Sequence, residues 1–244
     1  MKNYKITIEY DGLKYSGWQK QGNTKNTISQ KFEDVLKKMC NCDVEIFASG
    51  RTDALVHAKG QVANFKCESS LSETEMLNYL NKYLPLDIRV LSLEEVDMRF
   101  HARLNAVSKT YEYKIATKKP DVFIRKYVYA TDDIPDISKM KNAAKKLVGT
   151  HDFLGFSSLK KSKKSTVRTI NFIDIEKNDG VITIKINGDG FLYNMVRIIS
   201  GTLLDIGTGK LSEDVIDKVL TEKVRENAGT TLPPYGLTLN KVFY

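Results

Sequence analysis

The sequence predicts an α+β protein of two ferredoxin-like, RRM-like halves, each ordered β-α-β-β-α-β, with a joined mixed, mainly antiparallel sheet and a central active-site cleft. Three observations predict it. Stretches with apolar residues at every second position alternate with stretches of helical spacing. Residues 1–104 run strand, helix, strand, strand, helix, strand, the split βαβ pattern. Residues 105–244 repeat that order loosely, in element type and not in residue identity. With 244 residues and 41% apolar content, the chain can form one large or two small domains around a sizeable core.

In the first half, Tyr4, Ile6, Ile8 and Tyr10 alternate with polar residues and stop at Asp11-Gly12, a half-buried strand ending in a turn. A polar segment follows with Tyr15, Gly17 and the only tryptophan, Trp18. From Thr27 the spacing becomes helical, with Ile28, Phe32, Val35, Leu36 and Met39 on one face and Thr27 with Gln30 as a capping box. Val44 to Ala48 is an apolar run and Gln61 to Phe65 an alternating one, so the residues between them form a strand-connecting loop. Ser72 with Glu75 caps a second helix through Leu84, ended by Pro85, and a strand spans about Ile88 to Val96.

In the second half, Ser108 to Thr117 alternates as a strand and Asp136 to Val148 is an amphipathic helix. Val167 to Ile175 and Val181 to Ile186 pair as a hairpin across Asn178-Asp179-Gly180. A buried helix from Phe191 to Ile206, a short helix from Ser212 to Leu220 and a closing strand from Leu237 to Phe243 complete the copy. The stretch from Phe191 is shorter than the ~20 residues of a membrane span and contains Arg197, so no transmembrane helix is expected.

A formal net charge of +8 and a pI near 9.2 favour a polyanionic partner such as nucleic acid over an acidic small molecule; a merely basic, soluble surface is the plain alternative. The three cysteines, Cys40, Cys42 and Cys67, have no scaffold spacing, and Met1 to Ile6 is not an apolar signal segment, which fits a cytoplasmic protein. Basic residues concentrate at Lys118-Lys119, Arg125-Lys126, Lys145-Lys146 and, with Arg168, in the Ser-containing stretch Lys160, Lys161, Lys163 and Lys164. Such clusters can track phosphates without reading sequence, or can simply be solvated.

Chemistry centres on the loop. Asp53 is bracketed by Arg51 and His57 with no Ser or Cys beside it, which makes it a candidate nucleophile or general base. An Asp after a Thr is most often a turn former whose side chain bonds a nearby backbone N–H. Arg197 sits in a helix apolar on nearly every side, so a partly buried guanidinium there needs an anion. Asp53 is one candidate partner and Asp205 another. Tyr111 and Tyr113 share one sheet face opposite Glu112, placed either to stack a base or to fill the core. A Walker loop is ruled out because Gly209-Lys210 is followed by Leu211, and Leu204 stands where the first glycine belongs. Gly207-Thr208-Gly209 lacks the third glycine of a dinucleotide fingerprint, the zinc-deaminase signatures are missing, and three scattered histidines make a metal site improbable.

Ser49-Gly50-Arg51-Thr52-Asp53-Ala54, then Val56-His57-Ala58 and Gly60-Gln61-Val62-Ala63, resembles the active-site loop of the tRNA pseudouridine synthase A (TruA) family. Tyr10-Asp11-Gly12, Tyr15-Ser16-Gly17-Trp18-Gln19, Phe100-His101-Ala102-Arg103, Lys109-Thr110-Tyr111, His151-Asp152-Phe153, Phe191-Leu192 with Met195-Val196-Arg197, and Gly236-Leu237 resemble that family in order. The resemblance implies isomerisation of uridine to pseudouridine in the anticodon stem-loop of tRNA, at positions 38, 39 and 40, with no metal, nucleotide or other cofactor. It implies Asp53 as nucleophile, Arg51 supporting the flipped nucleotide, Tyr111 packing on the target base and Arg197 pairing with the carboxylate. His57 and Arg103 are expected to contact substrate, and a homodimer is expected to hold the tRNA. Base extrusion is required because C1′ and C5 of a paired uridine cannot both be reached inside a stem.

Two positions depart from the family pattern. Leu55 replaces a glycine and is not expected to take positive φ readily, and Gly155 replaces an alanine. Three readings stay open on these residues: the synthase, or a paralogue with another RNA target; a non-catalytic RNA-binding module, which would bind tRNA in a salt-dependent way without isomerising it; and a small-molecule lyase using Asp53 as base, which leaves the basic loops unexplained.

Overall fold

The computed structural model describes residues 1–159 and 165–244; the Lys160–Lys164 basic stretch lies outside the described residues. In chain order the elements are β1 (Lys2–Tyr10), α1 (Ile28–Cys40), β2 (Ile46–Ala48), β3 (His57–Cys67), α2 (Glu73–Tyr83), β4 (Ile88–Val96), β5 (Ser108–Ala116), β6 (Tyr129–Ala130), α3 (Ile137–Lys145), β7 (Gly149–Asp152), β8 (Val167–Asn178), β9 (Val181–Gly188), α4 (Met195–Gly207), α5 (Val215–Glu222) and β10 (Leu237–Phe243). They form two compact units, one of Met1–Val107 with Thr238–Tyr244 and the other of Ser108–Leu237.

In the first unit β1 lies between β4 and β3, antiparallel to both, and β2 pairs antiparallel with β3 at Ala63 to Phe65. The inward alternation of β1 holds, since Tyr4, Ile6, Ile8 and Tyr10 are all buried, with Phe32 and Leu36 of α1 and Met76 and Leu80 of α2 in the same core. Each such side chain contributes about 1.5–3 kcal/mol by leaving water. The Ser72/Glu75 capping box forms in full. At α1 only half of the expected box forms: Thr27 accepts the Gln30 N–H, while the Gln30 side chain turns to Asp34. The closing strand corrects the element count of the second copy. Residues Thr238 onward cluster with the first unit, where Thr238 and Leu239 of β10 run parallel to His57 and Ala58 of β3.

In the second unit β9 lies between β5 and β8, antiparallel to both, and β7 pairs with β8. With the short β6 and β7 set aside, the order β5-β9-β8 repeats the arrangement β1-β3-β2, in which the later strand of the pair lies next to the first. The hairpin is tighter and longer than its apolar residues predict, because Asp179 (φ +51°) and Gly180 (φ +75°) make a two-residue turn that lets pairing continue to Asn178 and Val181. Helix α4 starts at Met195 and not at Phe191. Asn194 is left-handed (φ +62°), and residues 189–194 are held as a loop by Ser158 N–H on Tyr193 O and by Asn194 Nδ2 on Ser158 Oγ. Beyond that start α4 is buried on almost every side, as its composition predicts.

Candidate active site

The loop between β2 and β3 is pinned at its base by side chains and along its length by backbone. Ser49 N donates to Val62 O at 2.8 Å, Ser49 Oγ to Gln61 Oε1 at 2.7 Å, and Gln61 Nε2 to Gly50 O at 2.9 Å. All three contacts join the loop's entry to β3. Asp53 follows, half-buried, and Val56 N returns to Asp53 O at 3.2 Å, closing a turn around it.

The segment from Asp11 to Trp18 backs this turn. Trp18 N donates to Thr52 O at 3.0 Å and Leu55 N donates to Tyr15 O at 3.3 Å, so the residues flanking Asp53 on both sides are fixed to one template. Two glycines make the approach possible. A Cβ on Gly12 would stand 2.0 Å from Val56 O, and one on Gly17 (φ +94°) would stand 2.7 Å from Thr52 O. Below the template, Trp18 stacks on Phe32 and lies beside Tyr10, each pair of ring centroids 6.2 Å apart. The Tyr10 hydroxyl shares a 2.7 Å hydrogen bond with Thr52 Oγ1, and burial pushes its pKa up to about 12. The Tyr15 hydroxyl donates to Asp87 Oδ1, so the template is also tied to the start of β4.

Leu55 takes the conformation the sequence argued against, φ +66°. A left-handed residue with a Cβ costs about 1–2 kcal/mol, and the bonds at Leu55 N and Val56 N hold it there. Leu55→Gly relieves that strain at some cost in chain entropy, for a net gain of up to about 1 kcal/mol; thermal unfolding should show an unchanged or slightly raised midpoint, and a clear fall would contradict the account. Gly155 also has a local reason. An added Cβ would meet Val219 Cγ1 and Val219 O, each at 2.8 Å, so α5 lies too close for alanine.

Of the other sequence-selected residues, Arg51 is exposed two positions before Asp53. His57 is only 5% exposed, and its Nδ1 accepts the Gly12 N–H at 3.1 Å. Arg103 is exposed on a segment held by buried amides: Asn64 Oδ1 accepts Ala102 N–H at 2.8 Å and Asn3 Nδ2 donates to Phe100 O at 2.9 Å.

In the second unit Tyr111 is buried, with its ring edge-on to Phe191 at 5.1 Å. Tyr113 on the same face is wholly buried and donates to Pro233 O at 2.7 Å, and burial raises its pKa well above the usual phenol range. The Arg197 guanidinium is held in one plane by Nε to Leu232 O (2.6 Å) and Nη1 to Asn194 Oδ1 (2.7 Å). Asp205, the other acid considered for it, accepts Thr230 N–H at 2.9 Å. Sequence reasoning missed Asn194 and Leu232 as the anchors of Arg197, and Tyr10 as a partner of the catalytic-loop candidate. Asn194 lies three residues before the arginine, at helical reach; the other contacts are long-range and leave no spacing signal.

Each unit therefore presents polar chemistry on a rigid support: a carboxylate on a doubly backed turn in the first, and a guanidinium and an aromatic on a packed helix and strand in the second. A family model described as tRNA pseudouridine synthase matches residues 6–105 and 143–244. A tRNA pseudouridine synthase A 2 of Bacillus cereus is 45% identical over 243 residues, covering 99% of this chain and 99% of the relative. A tRNA pseudouridine synthase A 1 of Clostridium tetani is 46% identical over 245 residues, covering 100% of each. Among solved structures, a Cbf5-Nop10-Gar1 complex aligns with 92% of this chain and 60% of that chain, at a TM-score of 0.37 and 12% identity. Matched along nearly its whole length, and with a carboxylate seated on a backed turn, the chain belongs to the tRNA pseudouridine synthase family.

Proposed function

We propose that this protein isomerises uridine to pseudouridine in the anticodon stem-loop of tRNA, with Asp53 as the nucleophile. The observation that carries the reading is the turn itself: Asp53 is the one carboxylate in the Ser49-to-Ala58 match, and hydrogen bonds at Thr52 O and Leu55 N fix its backbone on both sides. A preset carboxylate meets an extruded nucleotide without first paying to order its loop. Arg51, exposed beside it, supports the displaced nucleotide. Tyr111 packs on the base, and Arg197 supplies a guanidinium already anchored by Leu232 O and Asn194 Oδ1. Arg103 and the exposed Lys118, Lys119, Arg125 and Lys126 supply phosphate contacts; Lys146 is less available, since it pairs with Asp217 at 2.6 Å. The reaction proceeds in the cytoplasm. Incubation with unmodified tRNA and mapping of pseudouridine is the test: product in the anticodon stem-loop supports the reading, and salt-dependent binding without product would favour the RNA-binding module.

We further propose that the active form is a homodimer. Val122, Phe123, Ile124 and Tyr127, on the turn after β5, are 66%, 83%, 41% and 40% exposed beside a cavity of about 280 Å³ lined by Ile124, Tyr127, Val128 and Val181 together with the polar Lys114, Asn178 and Thr183. Exposed aliphatic and aromatic side chains grouped in this way, here on either side of Arg125 and Lys126, are characteristic of a protein interface. Phe123→Glu should weaken self-association about 30-fold, the effect of removing an anchor worth about 2 kcal/mol. Sedimentation across a concentration series reads this, and a parental protein that stays monomeric throughout would refute it.

A further inference from the structure

We infer that His57 is a positioning residue that holds the template behind Asp53, and that it does not contact RNA. The inference rests on the reading of Asp53 as nucleophile. His57 opens β3, is 5% exposed, and directs Nδ1 at the backbone N–H of Gly12, 3.1 Å away. In that bond Nδ1 is the acceptor. The Asp11 carboxylate, whose Oδ1 also accepts the Leu13 N–H at 3.0 Å, lies 3.1 Å from the same Nδ1 and belongs to the same segment as Gly12.

Gly12 is the point at which the template touches the loop most closely, with room for no Cβ against Val56 O. From Gly12 the template runs through Tyr15 O and Trp18 N, which bond Leu55 N and Thr52 O on either side of Asp53. A buried imidazole at position 57 therefore sets the seat of the template, and the template sets the carboxylate. Loss of the Nδ1 acceptor leaves a buried N–H unpaired and loosens the segment at its Gly12 end. A displacement near 1 Å at the reacting group costs about 10²-fold in rate while leaving remote RNA contacts intact.

The test compares His57→Ala, His57→Asn and Gly12→Ala in the full chain. Asn restores an acceptor oxygen close to the position of Nδ1. The added Cβ of Gly12→Ala displaces the template by a separate route. His57→Ala and Gly12→Ala should lower kcat about 10²-fold with tRNA affinity within about twofold of parental, and His57→Asn should recover most of the rate. Amide exchange at Gly12, followed without RNA, should accelerate in His57→Ala and return toward parental in His57→Asn. Weakened tRNA affinity at unchanged kcat in His57→Ala would overturn the inference, as would Asn failing to restore either rate or protection. Absence of turnover in the parental protein would count against the proposed reaction alone, because amide exchange reports the Gly12 contact independently.

Discussion

Asp53→Asn should remove pseudouridine formation almost completely, by about 10⁴-fold or more in kcat, the scale on which loss of a covalent nucleophile is felt. The substitution changes one oxygen to nitrogen on a half-buried side chain, and the bonds that shape the turn are made by the backbones of Thr52, Asp53, Leu55 and Val56. Folding and tRNA affinity are therefore expected to stay near parental while chemistry disappears. Single-turnover assays on unmodified tRNA, with binding measured in parallel, separate the two effects. Substantial product from Asp53→Asn would remove the carboxylate from the mechanism.

The second large effect is expected far from that turn in sequence, at Gly201. A Cβ there would stand 1.8 Å from Thr230 O, so alanine must push α4 away from the 229–232 segment. That contact is where Thr202 Oγ1 accepts Gly229 N–H, where Leu232 N approaches Arg197 O, and where Leu232 O receives Arg197 Nε. Overpacking of a backbone contact in a buried helix costs about 3 kcal/mol, which for a chain of this length lowers the unfolding midpoint by about 6–12 °C. The surviving folded protein should also lose turnover, since the guanidinium loses the carbonyl that orients it. Calorimetry together with rate measurement well below the midpoint checks both parts, and a variant with parental stability would show that α4 and this segment separate freely.

The contrast between Asp53 and Arg197 shows what kinds of information a sequence holds. Alternation exposed β1, which begins two residues before Tyr4, and Ser72 with Glu75 marked the start of α2, because both signals lie within one turn or one strand. The start of α4 was misread by four residues because Phe191 and Leu192 are apolar for reasons of packing, while the left-handed Asn194 that delays the helix has no hydrophobic signature. Leu55 was misjudged from steric preference alone, because the bonds from Leu55 N to Tyr15 O and from Val56 N to Asp53 O outweigh that preference. His57 was selected for its chemistry and for its place beside Asp53. Its burial and its Gly12 partner, 45 residues away in the chain, could not be read from either.

By itself the sequence determined the longer strands and the helices, though not the short β6 and β7, together with the basic character, the acidic candidate at 53 and the family. All of these follow from local periodicity, composition and residues adjacent in the chain. Only the tertiary structure decided that Gly12 and Gly17 are cut away to admit the backbone of the Asp53 turn, that Asn194 and Leu232 fix the plane of Arg197, and that β10 runs beside β3. Those facts depend on which backbone atoms meet across long sequence separations. Hydrogen bonding and close packing there are set by distance in space, and one-dimensional patterns do not encode it.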